Sequence, residues 1–195
     1  MNGVRVNRLL WPVMTALLCV AALARVFAAD EAPKRPVRFE IKGVPFVKQR
    51  SDWCGPAALA SVLQHHGEKI TQEEIAAAIY LPGRGTLNVD LLLFARRRGY
   101  LAAMHKGSSE LLKETVAAGL PVICQVEKPD LLGRRTHFVV VYGYDDEKET
   151  YRLHQGTKGA VSVKQPAFEK PWARSSRWML IVQPKPEAEG DDASS

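Results

Sequence analysis

One cysteine stands where its thiol can act as a nucleophile. Cys54 lies in the segment QRSDWCGPAALASVL (49–63), where apolar residues at helical spacing predict a helix that begins at or just after the cysteine. Aligned peptide dipoles place a partial positive charge at a helix N-terminus, and this charge favours the thiolate. Gly55 leaves room for a substrate beside the sulfur, and Pro56 is tolerated in the first helical turn. Cys54 is therefore the candidate nucleophile.

A thiol nucleophile also needs a base and a donor for the developing oxyanion. His137 opens the apolar segment HFVVVYGY (137–144), which predicts a strand. A histidine at the mouth of a strand can face the end of a helix that packs on the sheet. Gln49, five residues before Cys54, has an amide N–H that can reach an oxyanion together with the backbone N–H of Cys54. These residue types, in any sequence order, are those that acyl transfer through a thiol requires.

The elements that must position these residues follow from periodicity and capping signals. Four helices are predicted: from Cys54 to His66 before Gly67, from the capping box at Thr71 through Ile79, from Asn88 to Gly99, and from Ser108 or Ser109 to Gly119. A first short strand is predicted near Val44, and five more are predicted at 120–126, 137–144, 150–154, 160–163 and 177–183. Helices followed by strands that are joined by short turns indicate an α+β fold with an antiparallel sheet.

The two motifs around Cys54 and His137 resemble a known family. QRSDWCGPAALASVL and THFVVVYGYD are similar to the motifs of the bacteriocin-processing (double-glycine leader) peptidases, which are papain-like cysteine peptidases. The segments IYLPGRGTL (79–87) and WARSSRW (172–178) are similar to an exported, stand-alone subgroup. The resemblance spans roughly Val44 to Gln183. It implies a papain-like fold in which N-terminal helices pack on a C-terminal antiparallel sheet.

The resemblance also implies the roles of individual residues. Gln49 matches the family's oxyanion glutamine, Cys54 its nucleophile and His137 its general base, and no metal or cofactor is required. The family usually has an aspartate 16–18 residues after the histidine, and Gln155 stands at that place here. A glutamine carbonyl can accept the imidazole N–H, but it adds no charge that would stabilise an imidazolium. His154 is a weaker candidate for the same position.

Two functions from different classes follow. The first is an exported thiol peptidase that cleaves peptide amide bonds through a Cys54 thioester, with His137 as general base. The alternative is a catalytically weak or inactive papain-like module that binds a peptide or a partner protein, which the missing aspartate favours. A transferase using the same thioester is not separable from the sequence. The substrate cannot be inferred either, and the double-glycine specificity of the leader peptidases is not carried over.

Cysteine usage leaves one further alternative open. A secreted chain with Cys54 and Cys124 could join them in a disulfide, which would lock the candidate nucleophile. Cys124 lies in the predicted strand 120–126 among β-branched residues, so a buried and inert thiol is the other interpretation.

The ends of the chain predict export. Arg5 and Arg8 precede an apolar stretch from Leu9 to Ala24, and small residues before Ala29 suit signal cleavage. Residues 1–28 are expected to be a signal peptide, which places the protein in the periplasm or outside the cell. The alternative is a membrane anchor through residues 9–24. We further expect a linker at 29–43, one peptidase-like domain at 44–184, and a disordered tail at 185–195.

Composition excludes other classes of function. The chain has 195 residues, of which 46% are hydrophobic and 25% charged, as is ordinary for one globular domain. The formal net charge of +6 is partly contributed by the N-terminal arginines, and no basic stripe alternates with aromatic residues. Nucleic acid is therefore not an expected partner. The expected partner is a peptide or protein substrate, and a membrane only if the N-terminal segment is retained.

Overall fold

The computed structural model describes residues 35–130 and 133–186. The predicted signal peptide, residues 29–34 of the predicted linker and most of the predicted tail lie outside these ranges. The helices are α1 (Cys54–His65), α2 (Gln72–Ile79), α3 (Asn88–Arg97), α4 (Ser109–Ala117) and α5 (Gln165–Arg174). The strands are β1 (Arg38–Glu40), β2 (Tyr80–Leu81), β3 (Gly85–Thr86), β4 (Leu101–Lys106), β5 (Val122–Asp130), β6 (Gly133–Asp145), β7 (Thr150–Gln155), β8 (Lys158–Lys164) and β9 (Trp178–Gln183). Within the described ranges, no helix combines the length and the apolar character needed to cross a bilayer.

One antiparallel sheet organises the fold. Its strands lie in the order β4-β9-β5-β6-β7-β8, and β1 pairs with the far end of β6, beyond the reach of β5. A separate hairpin is formed by β2 and β3. The pairing of β6 with β7 begins at Val139, opposite Gln155, so the residues of β6 before Val139 have no β7 partner. This unpaired edge of β6 is where the candidate site is built.

Helices cover both faces of the sheet. On one face, α1, α2 and α3 pack over a core cluster that includes Phe138 and Val140. On the other face, α4 and α5 pack over a second cluster that includes Val139 and Val141. Successive residues of a strand point to opposite faces, so a strand covered on both sides needs apolar residues at consecutive positions. The unbroken apolar run of β6 has this physical cause.

The predicted α+β class is confirmed, since helices pack on one large antiparallel sheet. Five elements were missing from the sequence prediction: β1, β2, β3, β4 and α5. The first strand lies at Arg38–Glu40 and not near Val44, where it was predicted. The strand β4 lies between α3 and α4, and the helix α5 lies late in the chain, between β8 and β9. Two prolines, Pro166 in the first turn of α5 and Pro171 near its end, hide the helical signal. Because α4 and α5 cover the second face, the sheet is sandwiched between helices.

Part of the segment that the sequence assigns to a linker is held on this body. Arg35 forms an ion pair with Asp146 at 2.6 Å, and the Tyr144 hydroxyl donates to the carbonyl of Pro36 at 2.7 Å. The Asp146 carboxylate also receives Lys113, whose side chain is buried, at 2.7 Å. These contacts lead into β1, which extends the sheet beside β6.

The two cysteines of the described ranges are free thiols on opposite sides of the sheet. Cys54 packs against the cluster under α1, whereas Cys124 lies fully buried in the cluster under α4 and α5. A disulfide between them would have to pass through the sheet. The structure therefore favours the interpretation of Cys124 as a buried, inert thiol over the Cys54–Cys124 bond.

We predict that a maleimide modifies Cys54 but not Cys124 in the folded protein, because only Cys54 lines a cavity. Replacing Cys124 by valine should cost less than about 1.5 kcal/mol of unfolding free energy, as apolar swaps of similar volume do. Mass mapping of labelled peptides before and after unfolding checks the first expectation, and urea titration checks the second. Labelling of both thiols at equal rates in the folded state would contradict the placement.

Candidate active site

The N-terminus of α1 brings Cys54 to the unpaired edge of β6. The helix begins at Cys54, and its residues from Gly55 to Leu63 are all buried, several of them alanines that allow a close approach to the sheet. The backbone N–H groups of Phe138 and Gly55 donate to the cysteine sulfur. Phe138 lies just beyond the last pair between β6 and β7, so its N–H meets the sulfur where β7 has ended. Gly55 has no space for a side chain, since a Cβ there would lie 2.9 Å from Cβ of Thr86.

His137 lies one residue before Phe138 on the same strand. It pairs with Val126 of β5 on one side, and on the other the chain leaving β7 turns past its ring. That turn is made by Gly156, which has a φ of +60°. A Cβ at this position would lie 3.4 Å from Cε1 and 3.5 Å from Nε2 of His137. The imidazole is buried, and its Nε2 has no hydrogen-bond partner among the described residues.

Gln49 is held over the site by contacts on both sides of its loop. Its backbone N–H donates to the carbonyl of Gly156 at 3.2 Å. The buried side chain of Gln72, at the start of α2, accepts from the N–H of Arg50 at 3.1 Å and donates to the carbonyl of Lys48 at 2.8 Å. The residues before and after Gln49 are thus clamped by one amide side chain.

The Gln49 side chain lines the site with its amide group. Nε2 donates one hydrogen to the carbonyl of Ser51 at 2.6 Å, and an amide nitrogen carries a second hydrogen that a ligand can use. Oε1 is buried without a partner among the described residues and faces Gly156, where an added Cβ would approach it to 3.2 Å.

Gln49, Cys54 and His137 line one cavity of about 130 Å³. Its other lining residues are Asp52, Lys128, Arg135 and Thr136. Within the described ranges, Cys54 and His137 form no hydrogen bond with each other. Catalytic hydrogen bonds are often long before a substrate is bound, so this geometry is compatible with proton transfer in a complex. The structure therefore brings together three of the four predicted site residues.

Burial sets the protonation of the pair. It raises the pKa of the Cys54 thiol above its ordinary value, and the opposing N–H groups and nearby positive charges do not reverse this. Burial, assisted by the charges of Lys128 and Arg135, lowers the pKa of His137 to about 3. The helix terminus alone was expected to favour the thiolate, and desolvation overrides it. At neutral pH the resting site holds a thiol and a neutral imidazole.

The fourth predicted residue, Gln155, is placed near the site without joining it. It lies opposite Val139 at the end of β7, a diagonal neighbour of His137 within reach of a long side chain. No hydrogen bond of its side chain to His137 occurs in the described part of the chain, so its orienting role stays a prediction.

His154 is committed to the fold. Its Nε2 lies 3.0 Å from the carbonyl of Val44, and its Nδ1 accepts from the N–H of Ala160 at 3.1 Å. The ring packs against Tyr142 with centroids 4.5 Å apart. With both nitrogens taken by backbone groups, His154 has none left to orient His137.

Comparison with known proteins then decides the family. The sequence model of the peptidase C39 family matches residues 44–187, which is most of the chain. The chain belongs to the peptidase C39 family. Members of this family are cysteine peptidases, so the predicted resemblance to papain-like bacteriocin-processing peptidases is confirmed. No curated protein sequence matches this C39 chain.

Solved C39 structures share the fold. A C39-like peptidase from Bacillus anthracis is 20% identical with a TM-score of 0.64, over 77% of this chain and 99% of that one. The peptidase domain of Streptococcus ComA, a bifunctional ABC transporter involved in quorum sensing, is 21% identical with a TM-score of 0.61, over 73% and 99%. A double-glycine-motif protease from an AMS/PCAT transporter, in complex with the leader peptide, is 23% identical with a TM-score of 0.60, over 75% and 94%.

Two residues of this C39 site were missed by sequence reasoning. Gln72 stands inside the capping box of α2, where a polar residue is expected to face solvent, yet it is 8% exposed. Gly156 follows a strand, where a glycine usually signals only a turn. The clue to Gln72 is its place on the buried face of α2, which is otherwise apolar, but its partners lie in a loop more than 20 residues earlier.

We predict that Gln72→Ala lowers kcat by about tenfold, because Gln49 loses the clamp on both flanking residues, and that it costs about 1–3 kcal/mol of stability. Peptide hydrolysis and urea unfolding measure the two effects. Gln64→Ala is the matched control, since Gln64 also donates to a backbone carbonyl, that of Ile70 at 2.7 Å. The control should lose stability and keep kcat. Equal kcat in both variants would show that Gln72 is only structural.

We also predict a loss of stability in mild acid. The folded pKa of His137 is about 3, below its ordinary value of 6.5, and burial lowers the pKa of His154 as well. Below pH 6.5 the unfolded chain then binds more protons than the folded chain. The free energy of unfolding is therefore highest above that pH and falls as the pH drops. His137 should contribute up to ~1.4 kcal/mol per pH unit between about pH 6.5 and 4.5, and His154 acts in the same direction. Urea unfolding of wild type and His137→Asn across this window measures the slope, which the variant should reduce.

Proposed function

We propose that this C39 protein is an exported thiol peptidase that hydrolyses peptide amide bonds through a thioester on Cys54. The observation that carries the proposal is the common cavity of Gln49, Cys54 and His137, built at the unpaired edge of β6. Membership of a family of cysteine peptidases supports the reaction class. The leader peptide bound to the AMS/PCAT protease supports a peptide as the ligand. Export is supported by the sequence of residues 1–28 alone.

The reaction begins from a neutral pair. His137 takes the thiol proton as the sulfur attacks the carbonyl carbon, so the charge develops on the carbonyl oxygen only during attack. The backbone N–H of Cys54 and the free amide hydrogen of Gln49 stabilise that oxyanion. When the oxyanion collapses, the C–N bond breaks and His137 returns the proton to the leaving amine. Water, deprotonated by His137, then hydrolyses the thioester and restores the thiol.

A neutral resting pair differs in its pH behaviour from a preformed thiolate–imidazolium ion pair. The imidazolium formed during attack lies in a buried place with no acidic partner among the described residues, so the attack is expected to be slow. A substrate that closes the cavity and orders the Gln49 loop would help by excluding water. The alkylation rate of Cys54 in the free protein should accordingly keep rising beyond pH 9, because burial raises the pKa of the thiol above its ordinary value of 9.0.

We predict that Cys54→Ala abolishes hydrolysis of a diverse quenched-peptide library. His137→Ala should lower kcat by at least about 10²-fold as the general base is lost, and Gln49→Ala by about 10²–10³-fold as an oxyanion donor is lost. Steady-state kinetics on one cleaved library member measures all three. A covalent adduct of a peptide aldehyde or vinyl sulfone on Cys54, formed in wild type and not in His137→Ala, identifies the nucleophile independently.

Two outcomes would decide against the proposal. Peptide binding that survives Cys54→Ala, with no library member cleaved by wild type, would instead establish the binding module. Hydrolysis that survives Cys54→Ala would move the nucleophile elsewhere. Gln155→Ala completes the set, because an orienting role of Gln155 predicts a fall in kcat with KM unchanged.

A further inference from the structure

The charges that surround the cavity do not balance. Three charged side chains line it: Asp52, Lys128 and Arg135. Asp52 and Arg135 form an ion pair at 2.9 Å, so their charges offset each other. Lys128 is partly buried and forms no ion pair with any other residue whose side chain is described. The cavity therefore carries about one uncompensated positive charge beside the sulfur of Cys54 and the ring of His137.

The surroundings of Lys128 disfavour its own charge. Burial lowers the pKa of the Lys128 ammonium, and the neighbouring charge of Lys158 lowers it further. The group that acts in the opposite direction is a Cys54 thiolate, which the resting site does not hold. An ammonium that is desolvated without a counter-charge is stabilised when an anion binds beside it. The positive charge of Lys128 therefore points to an anionic group on the ligand.

We propose that Lys128 binds a carboxylate of the substrate in this cavity and selects peptides that carry one next to the bond that is cut. The proposal rests on the proposed peptidase function and names its substrate class. A cavity of about 130 Å³ can hold one acidic side chain or the carboxylate at the end of a peptide. Asp52 does not oppose this binding, because the charge of its carboxylate is offset by the ion pair with Arg135.

Alkylation of Cys54 tests the anion site without requiring turnover. Iodoacetate and iodoacetamide both lose iodide as the sulfur forms its bond to carbon, and they differ in one carboxylate. The ratio of their rates cancels the fraction of thiolate. Normalised to the same ratio for a small free thiol at low ionic strength, we expect a preference for iodoacetate of about fivefold or more.

Variants of Lys128 and of a distant lysine show whether the preference for iodoacetate comes from Lys128 or from the overall positive charge of the protein. Lys128→Met should abolish most of the preference, and Lys128→Arg should retain it. Lys148→Met is the matched control, because Lys148 lies in the turn after β6, at the opposite end of that strand from His137. This control should leave the ratio unchanged. An equal ratio in wild type and Lys128→Met would overturn the proposal.

Peptide substrates identify the source of the carboxylate. Amidated peptides that differ only by Glu, Gln or Lys at each position around the cleaved bond test an acidic side chain. Peptides with a free or amidated C-terminus test the terminal carboxylate. We expect kcat/KM to rank Glu over Gln over Lys, or free acid over amide, by about tenfold at one position, and this ranking to vanish in Lys128→Met.

The outcomes for the two proposals are distinct. Cleavage without any charge preference would overturn the carboxylate site and leave the peptidase standing. Absence of cleavage, with a Lys128-dependent preference for iodoacetate, would sustain the anion site and overturn the peptidase. Absence of both would overturn both.

Discussion

The site depends on the docking of one helix terminus against one strand edge. Because β7 ends at Gln155, the N–H of Phe138 is left without a strand partner, and the sulfur of Cys54 takes its place. The docking requires small residues in the first turns of α1, such as Ala57 and Ala58, and a residue without a side chain at Gly55, against which Thr86 packs. His137 precedes Phe138 on the same strand, and its side chain lines the same cavity as Cys54.

The same docking disfavours the charged forms of Cys54 and His137. Helix dipole and backbone N–H groups favour a thiolate, but burying the sulfur and the imidazole against the sheet disfavours both ions. Desolvation acts on both groups at once, so the pair is neutral at rest. The candidate nucleophile and base thus lie at one site, and in the proposed reaction their charges separate only during attack. Lys128 and Arg135 lie where they lower the pKa of His137 further and yet oppose the rise in the pKa of Cys54.

The loop of Gln49 shows how the fold supports the site from a distance. Gln72 holds both neighbours of Gln49 from the start of α2, while Gly156 receives its backbone N–H from the turn after β7. Elements from both halves of the chain therefore meet at one short loop. The positive φ of Gly156 and its closeness to the His137 ring explain why this turn accepts no side chain.

The sequence alone predicted the start of α1 at Cys54, the capping box of α2 and the strand at His137. Capping and periodicity depend on residues that are neighbours along the chain, so these features can be read without the tertiary structure. The motifs around Cys54 and His137 were enough for the family. Tertiary structure alone decided the protonation of the pair, since desolvation depends on what packs around each group. It alone placed Gln72 and Gly156, whose partners are far apart in sequence. It also separated Cys54 from Cys124, because the face on which each thiol lies is set by the covering helices, and in the described part of the chain it shows no hydrogen bond between Gln155 and His137.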